Sequence, residues 1–226
     1  ALCNWIGEQT GASVGYLTEA ANTVGAQWVN ALPDAGALHA GQMLSGALKG
    51  VLLLNTEPVW DSAAGAGAVG ALAGADMVVT LSPFKTNMDF SDVLLPIAPF
   101  TETSGSFVNA EARLQSFHAV VRPLGETRPG WKVLRVLANL MEIPGFEFET
   151  SQDVLGQIAG AQSNAAALPS ALLSNRSEAL VSSDVSGVAN EAPASAAIYQ
   201  LDSLVRRSPS LQATRDGRAA VGEVQP

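Results

Sequence analysis

Three short apolar runs constrain the fold of this chain more than anything else in it: Gly50-Val51-Leu52-Leu53-Leu54, Met77-Val78-Val79-Thr80-Leu81 and Val93-Leu94-Leu95. Each is too short for a core helix, and none alternates with polar residues. Such runs read as strands buried on both faces, the signature of a parallel sheet. Each ends at turn residues: Asn55-Thr56-Glu57-Pro58, Ser82-Pro83 and Pro96. The Ala-rich stretch 61–73 between the first two runs reads as a helix, although Gly65, Gly67 and Gly70 each cost it about 1 kcal/mol against Ala. Residues 86–91 leave room only for a short helical turn. This βαβ rhythm predicts an α/β fold, a Rossmann-like, mostly parallel sheet flanked by helices, with 50–54 as a central strand. Ligands in such sheets sit beyond the carboxyl ends of the strands. That end carries Asn55, Glu57, Ser82, Lys85 and the loop 101–106.

The other elements follow from punctuation. Glycines at 7, 11, 15 and 25 break any long N-terminal helix and leave a short one at 12–22. Their spacing is loosely that of a phosphate loop, but no Lys-Ser/Thr pair follows and no strand precedes. A helix is expected over 37–48, stopped by Gly50, with His39 near its start as a surface or capping residue. The best-marked helix is 130–142. Trp131, Leu134, Leu137, Ala138 and Met141 share one face, Pro129 precedes it and Pro144-Gly145 follows. Another starts near Ser151, with Asp153 in its first turn.

Composition then shifts. Residues 160–197 are rich in Ala, Ser and Asn and poor in aromatics and charge, as a linker is. The expected organisation is an α/β domain over 1–159, a low-complexity linker over 160–197, and an extended basic tail over 198–226 leading toward a further domain. Arg206, Arg207, Arg215 and Arg218 make that tail basic, suited to solvent or to an acidic protein surface.

A formal charge of −9, from 12 basic and 21 acidic residues among 226, argues against nucleic acid as a partner. The single cysteine, Cys3, cannot form an internal disulfide or hold an iron–sulfur cluster. It reads as a small buried hydrophobe. No apolar run approaches the ~20 residues of a membrane span, so direct membrane insertion is not expected. His39 and His118 are the only histidines, and neither has partners at metal-ligand or triad spacing. No catalytic residue and no metal site is therefore expected.

The stretch after the third run holds the candidate site. Thr101-Glu102-Thr103-Ser104-Gly105-Ser106 is a loop in which Gly105 can take a positive φ. After it, Asn109, Glu111, Arg113 and Gln115 alternate with Val108, Ala110, Ala112 and Leu114. If extended, the segment presents four polar side chains on one face and four apolar ones on the other. Arg113 could clamp a phosphate, and Asn109 and Gln115 could read a heterocycle edge. The bland reading is a self-satisfied loop, with Arg113 paired to Glu102 or Glu111.

The pattern DVLLP-x-x-x-F-x-E-x-x-G-S-x-x-N-x-E-x-R-x-Q over 92–115 resembles the molybdopterin-oxidoreductase superfamily. With PLGETRPGWKVLRVLANLM after it, the chain is similar to the molybdopterin-oxidoreductase-like member of bacterial NADH:quinone oxidoreductase, respiratory complex I. The likeness covers roughly 1–150 and, weakly, the run IYQLDSLVRRSPSLQATRDGRA. The superfamily usually has Gly where this chain has Ala112. The resemblance implies a piece of a longer complex I polypeptide that supports electron transfer carried elsewhere, with no redox centre of its own. Expected with it are 2Fe-2S and 4Fe-4S clusters in an N-terminal part, other peripheral-arm proteins of complex I as partners, and a place on the cytoplasmic side of the bacterial inner membrane. Glu102, Gly105, Asn109, Glu111, Arg113 and Gln115 would then be a vestigial pterin-site loop. The alternative it implies is the cofactor-binding domain of a molybdopterin-dependent oxidoreductase, such as a formate dehydrogenase relative.

Overall fold

A computed structural model describes residues 2–15, 18, 20–33, 36–46, 48–161 and 198–218. In chain order its elements are α1 (Leu2–Thr10), α2 (Thr23–Trp28), α3 (Ala40–Met43), β1 (Gly50–Leu54), α4 (Pro58–Asp61), α5 (Gly67–Ala73), β2 (Met77–Ser82), β3 (Val93–Pro96), β4 (Gly105–Val108), β5 (Leu114–Phe117), α6 (Gly130–Leu140), α7 (Ser151–Ala161), α8 (Ile198–Leu201) and α9 (Pro209–Gln212). One 3-10 turn, Phe100–Glu102, links β3 to β4, and another, Val205–Arg207, lies between α8 and α9.

The three apolar runs form a parallel sheet in the order β1-β2-β3, with Val51 opposite Val78 and Leu81 opposite Leu95. Each strand accordingly delivers its next loop to the same end. The run at 50–54, expected to be central, is at the side of the sheet among the described residues, and β2 holds the centre. Leu53, Leu72 and Val78 are the buried core, with Leu44, Val51, Ala75 and Phe90 packed against them, so α5 covers one face. The other face is only partly covered. Leu52, Leu54, Val93 and Leu95 keep 36–48% of their surface exposed. Parallel sheets are normally covered on both sides, so this face is an incompletely packed one.

Several local expectations shift. The helix expected over 12–22 is not there among the described residues; α1 and α2 flank that stretch instead. The helix expected over 37–48 is the single turn α3, and His39 caps it. Its Nδ1 accepts from Gln42 N, while Gln42 Oε1 accepts from His39 N. Cys3 is exposed rather than buried. Most of the linker assigned to 160–197 lies outside the described residues, as do 219–226. Residues 198–218 are short helical turns rather than an extended tail, knitted by Gln212, whose Nε2 donates to the carbonyls of Tyr199 and Val205.

Candidate functional site

Two polar regions follow from this topology. The first lies where β1 and β2 end. Asn55 turns the chain out of β1 with a left-handed φ of 48°, a conformation Asn tolerates. Glu57 follows, only 3% exposed. It is positioned by local bonds: Glu57 N and Thr56 Oγ1 both donate to Asp61 Oδ2, at 2.7 and 3.2 Å. From the loop after β2, Thr86 Oγ1 donates to Glu57 Oε1 at 3.4 Å and the buried Asn87 donates to Thr56 O at 2.9 Å. The two loops are thus tied across the crevice where ligands of such sheets bind.

Two of this chain's own arginines enter that crevice, beside a remaining cavity of about 180 Å³ lined by Glu57, Trp60, Thr86 and Asn87. Arg206 Nη1 donates to Glu57 Oε2 at 3.4 Å, and its Nη2 donates to Asp61 Oδ1 at 2.5 Å. Arg207 Nη2 donates to Glu57 Oε1 at 2.7 Å and also to Thr86 Oγ1. Aromatic rings back both guanidinium groups, with Phe84 3.9 Å from that of Arg207 and Trp60 5.8 Å from that of Arg206. Arg206 is 5% exposed, so a buried carboxylate is matched by a buried cation. The acidic surface expected for the basic tail is therefore in the same chain. Charge alone could not reveal that pairing across some 149 residues.

The second region is the hairpin β4–β5, which pairs Gly105 with Phe117, Ser106 with Ser116, Phe107 with Gln115 and Val108 with Leu114. The segment read as extended through 109–115 is instead interrupted by a turn. Asn109 makes it: its Oδ1 accepts from Glu111 N at 3.1 Å and from Arg113 N at 2.9 Å, and its carbonyl accepts from Ala112 N. Ala112 completes the turn at φ 63°, a left-handed position that favours glycine. This is the position where the superfamily usually has Gly.

The six predicted site residues divide three and three. Glu102, Gly105 and Asn109 serve the fold. Glu102 Oε2 accepts from Leu124 N at 2.9 Å. Gly105 is not at positive φ; it is a strand residue whose lack of a side chain admits the Phe117 ring, since a Cβ there would lie 2.8 Å from it. Glu111, Arg113 and Gln115 are exposed, and their side chains make no ion pair or hydrogen bond among the described residues. The pairing of Arg113 with Glu102 or Glu111 is not made. Gln115 lies on the same hairpin face as Phe107 and Phe117, whose rings meet edge to face at 5.1 Å. The opposite face, with Val108 and Leu114, borders an open cavity of about 230 Å³ also lined by Trp28, Trp131 and Leu155.

The hairpin is anchored to helices and not to the arginine cluster. Val108 N donates to Asn22 Oδ1 beside α2, and Ser104 and Ser151 share a hydroxyl–hydroxyl bond at the start of α7. Among the described residues no hydrogen bond or ion pair joins the hairpin to the ends of β1 and β2. The two regions are separate polar surfaces.

The molybdopterin oxidoreductase family model matches residues 1–140, which include the sheet and the whole hairpin. The chain belongs to that family. Among curated members, a Staphylococcus aureus (strain bovine RF122 / ET3-1) protein provisionally named a formate dehydrogenase is 34% identical over 92 residues, covering 39% of this chain and 9% of the relative. A Staphylococcus haemolyticus (strain JCSC1435) protein with the same provisional name is 31% identical over 91 residues, covering 40% of this chain and 9% of the relative. YjgC of Bacillus subtilis (strain 168), named a probable oxidoreductase, is 37% identical over 71 residues, covering 31% of this chain and 7% of the relative. The matched stretch thus spans less than a tenth of the length of these relatives.

The family implies a pterin cofactor, and the donors of the hairpin suit its nucleotide half. A guanidinium with no partner among the described residues fits a phosphate, and an exposed amide beside the exposed Phe107 ring fits a heterocycle. No group of three or more His, Cys, Asp or Glu side chains among the described residues could hold a metal ion. No helix among them is long and apolar enough to cross a membrane.

Proposed function

We propose that this chain is part of a molybdopterin-dependent oxidoreductase of the formate dehydrogenase kind, and that its hairpin holds the nucleotide portion of the cofactor. One observation carries the reading: Arg113 and Gln115 are exposed on the β4–β5 hairpin with no partner of their own among the described residues. A self-satisfied loop would have engaged them. The provisional names of the relatives support the same direction. When bound, the cofactor supplies the two-electron chemistry. This chain's residues bind and orient. Arg113 would hold a phosphate through its guanidinium, Gln115 would meet a polar ring edge, and Phe107 would offer an apolar surface beside it. Asn109 and Glu102 act one step back, fixing the turn and the neighbouring loop.

A second reading has its own support. The resemblance of the sequence motifs to the complex I protein, and the occupation of the carboxyl end by Arg206 and Arg207, would fit a domain that keeps the fold without a cofactor. It would then scaffold electron transfer from NADH to quinone within a peripheral arm at the cytoplasmic face of the inner membrane. The iron–sulfur clusters would lie in another part of the same polypeptide, and its partners would be other proteins of the arm.

Thermal melts separate the two. With molybdopterin guanine dinucleotide, or with GDP as its stable nucleotide half, the first reading expects the wild-type melting temperature to rise. Saturation at a hundredfold excess over Kd corresponds to about 2.7 kcal/mol. Arg113→Ala should abolish the rise. A wild-type melt indifferent to both compounds, with no molybdenum or tungsten in the full-length protein, would overturn the first reading and leave the second.

A further inference from the structure

The first reading leaves the arginine cluster unused and the second takes it only as a filling of the sheet's end, yet it joins more charged side chains than any other site among the described residues. The acceptors are also held by bonds that do not involve the arginines. Asp61 is held by Glu57 N and Thr56 Oγ1, Thr86 donates to Glu57, and Asn87 fixes the Thr56 carbonyl. The donors come from far along the chain. Each oxygen of Glu57 takes a different guanidinium, Asp61 takes the second arm of Arg206, and each guanidinium has an aromatic ring beneath it. This is a two-socket geometry, selective for adjacent planar cations, which a pair of lysines could not match.

Besides the arginines, the segment meets the rest of the chain through α8, which packs against α4. α8 and α9 are four residues each, far below the length at which a helix persists alone. Within the segment, Asp202 Oδ1 caps Leu204 N and Val205 N, and Arg206 Nη2 also bonds Leu201 O, so the turn presents both arginines together. Thirty-six residues of sequence, 162–197, separate it from α7. It is a ligand carried on the same chain as its receptor, which makes their meeting intramolecular.

We propose that residues 198–218 are a strap that closes the carboxyl end of β1 and β2 by plugging Arg206 and Arg207 into an arginine-pair receptor formed by Glu57, Asp61 and Thr86, and that an Arg-Arg segment in trans can take its place. This holds under either reading of the hairpin, because the two surfaces share no bond among the described residues. The strap decides whether the crevice at the sheet's carboxyl end is open.

The test uses the full chain and needs no cofactor. Arg206→Ala/Arg207→Ala removes the plug and leaves the receptor. Hydrogen exchange should quicken several-fold at the amides of residues 57–61 and 86–90, and stay unchanged at 78–81 in β2. A fluorescein-labelled peptide of residues 198–218 should bind the double variant at least tenfold more tightly than wild type, in which the tethered strap competes. The same peptide with both arginines replaced by alanine should not bind. Adding Asp61→Asn to the double variant should weaken the peptide about tenfold. Should the double variant fail to fold, Arg207→Ala alone, at the more exposed socket, should give an intermediate gain. Equal peptide binding by wild type and variant, or a folded variant with unchanged exchange at 57–61 and no peptide binding, would overturn the proposal.

Discussion

The arginine cluster and the hairpin answer the same electrostatic problem in opposite ways. At the ends of β1 and β2, every charge in the cluster is buried or half-buried and matched within the chain. On the hairpin, Arg113 and Glu111 stand in water, and the residues beneath them do the structural work. A buried charge must be paired because desolvation is costly; an exposed one can wait for a partner. Polar residues at the end of a parallel sheet are therefore not evidence of a binding site on their own. Whether their side chains are already spent decides the matter.

The largest expected effect comes from breaking the buried side. Glu57→Ala removes the buried carboxylate that both guanidinium groups share, leaving Arg206 to Asp61 alone and Arg207 without an acid, and should lower stability by about 3–5 kcal/mol in denaturant titrations. A loss below about 1 kcal/mol, the worth of an exposed pair, would mean that water reaches the cluster and that the contrast with the hairpin is false. On the hairpin, Gly105→Ala should cost about 1–3 kcal/mol, because the new methyl meets the Phe117 ring. Near-UV circular dichroism of the displaced aromatic pair is a second check.

Smaller effects sharpen the same contrast. Ala112→Gly relieves a left-handed residue and should raise stability by about 0.5–1 kcal/mol, visible as a higher melting temperature. Arg113→Ala should leave the melt of the free protein within about 0.5 kcal/mol of wild type, as an exposed, unpaired charge requires. The smallest effect is at the start of α7. Asp153 is held below its ordinary pKa of 3.8, first by the Thr150 backbone N–H, then by the Thr150 hydroxyl and the Glu149 N–H. A depressed acid contributes stability above its unfolded pKa and loses it as pH falls through the folded value. Amide protection in the first turn of α7 should thus be flat from about pH 7 to 5 and fall below about pH 4; the Asp153→Asn variant should show no such step.

Much of the fold was legible because its signals are local. The three apolar runs became β1, β2 and β3 within a residue or so, and the prolines and glycines around 129 and 144 bounded α6. His39 was readable as a cap because its partner, Gln42, is three residues away. The failures share the opposite property. The side position of β1 depends on which strand lies beside which. The turn at Asn109 was hidden by an alternation that continues through it, and only its side-chain bonds reveal the break. The part played by Gly105 depends on Phe117, across the hairpin. Arg206 and Arg207 looked like a solvated patch because their acceptors lie some 149 residues upstream. Of the candidate site, the residue types were legible and their commitments were not.

That separation also sets a schedule. The sheet closes through contacts a few tens of residues apart, whereas the Glu57–Arg206 bond closes a loop of some 149. At about 5–20 residues per second, a ribosome makes Arg206 roughly 7–30 s after Glu57. Strand pairing of this local kind is complete in far less time. The nascent sheet must therefore live for many seconds with its acidic crevice hydrated and unmatched. The turn that neutralises it is made late, so a ribosome that stalls before residue 206 leaves a chain whose sheet is formed and whose crevice is still open.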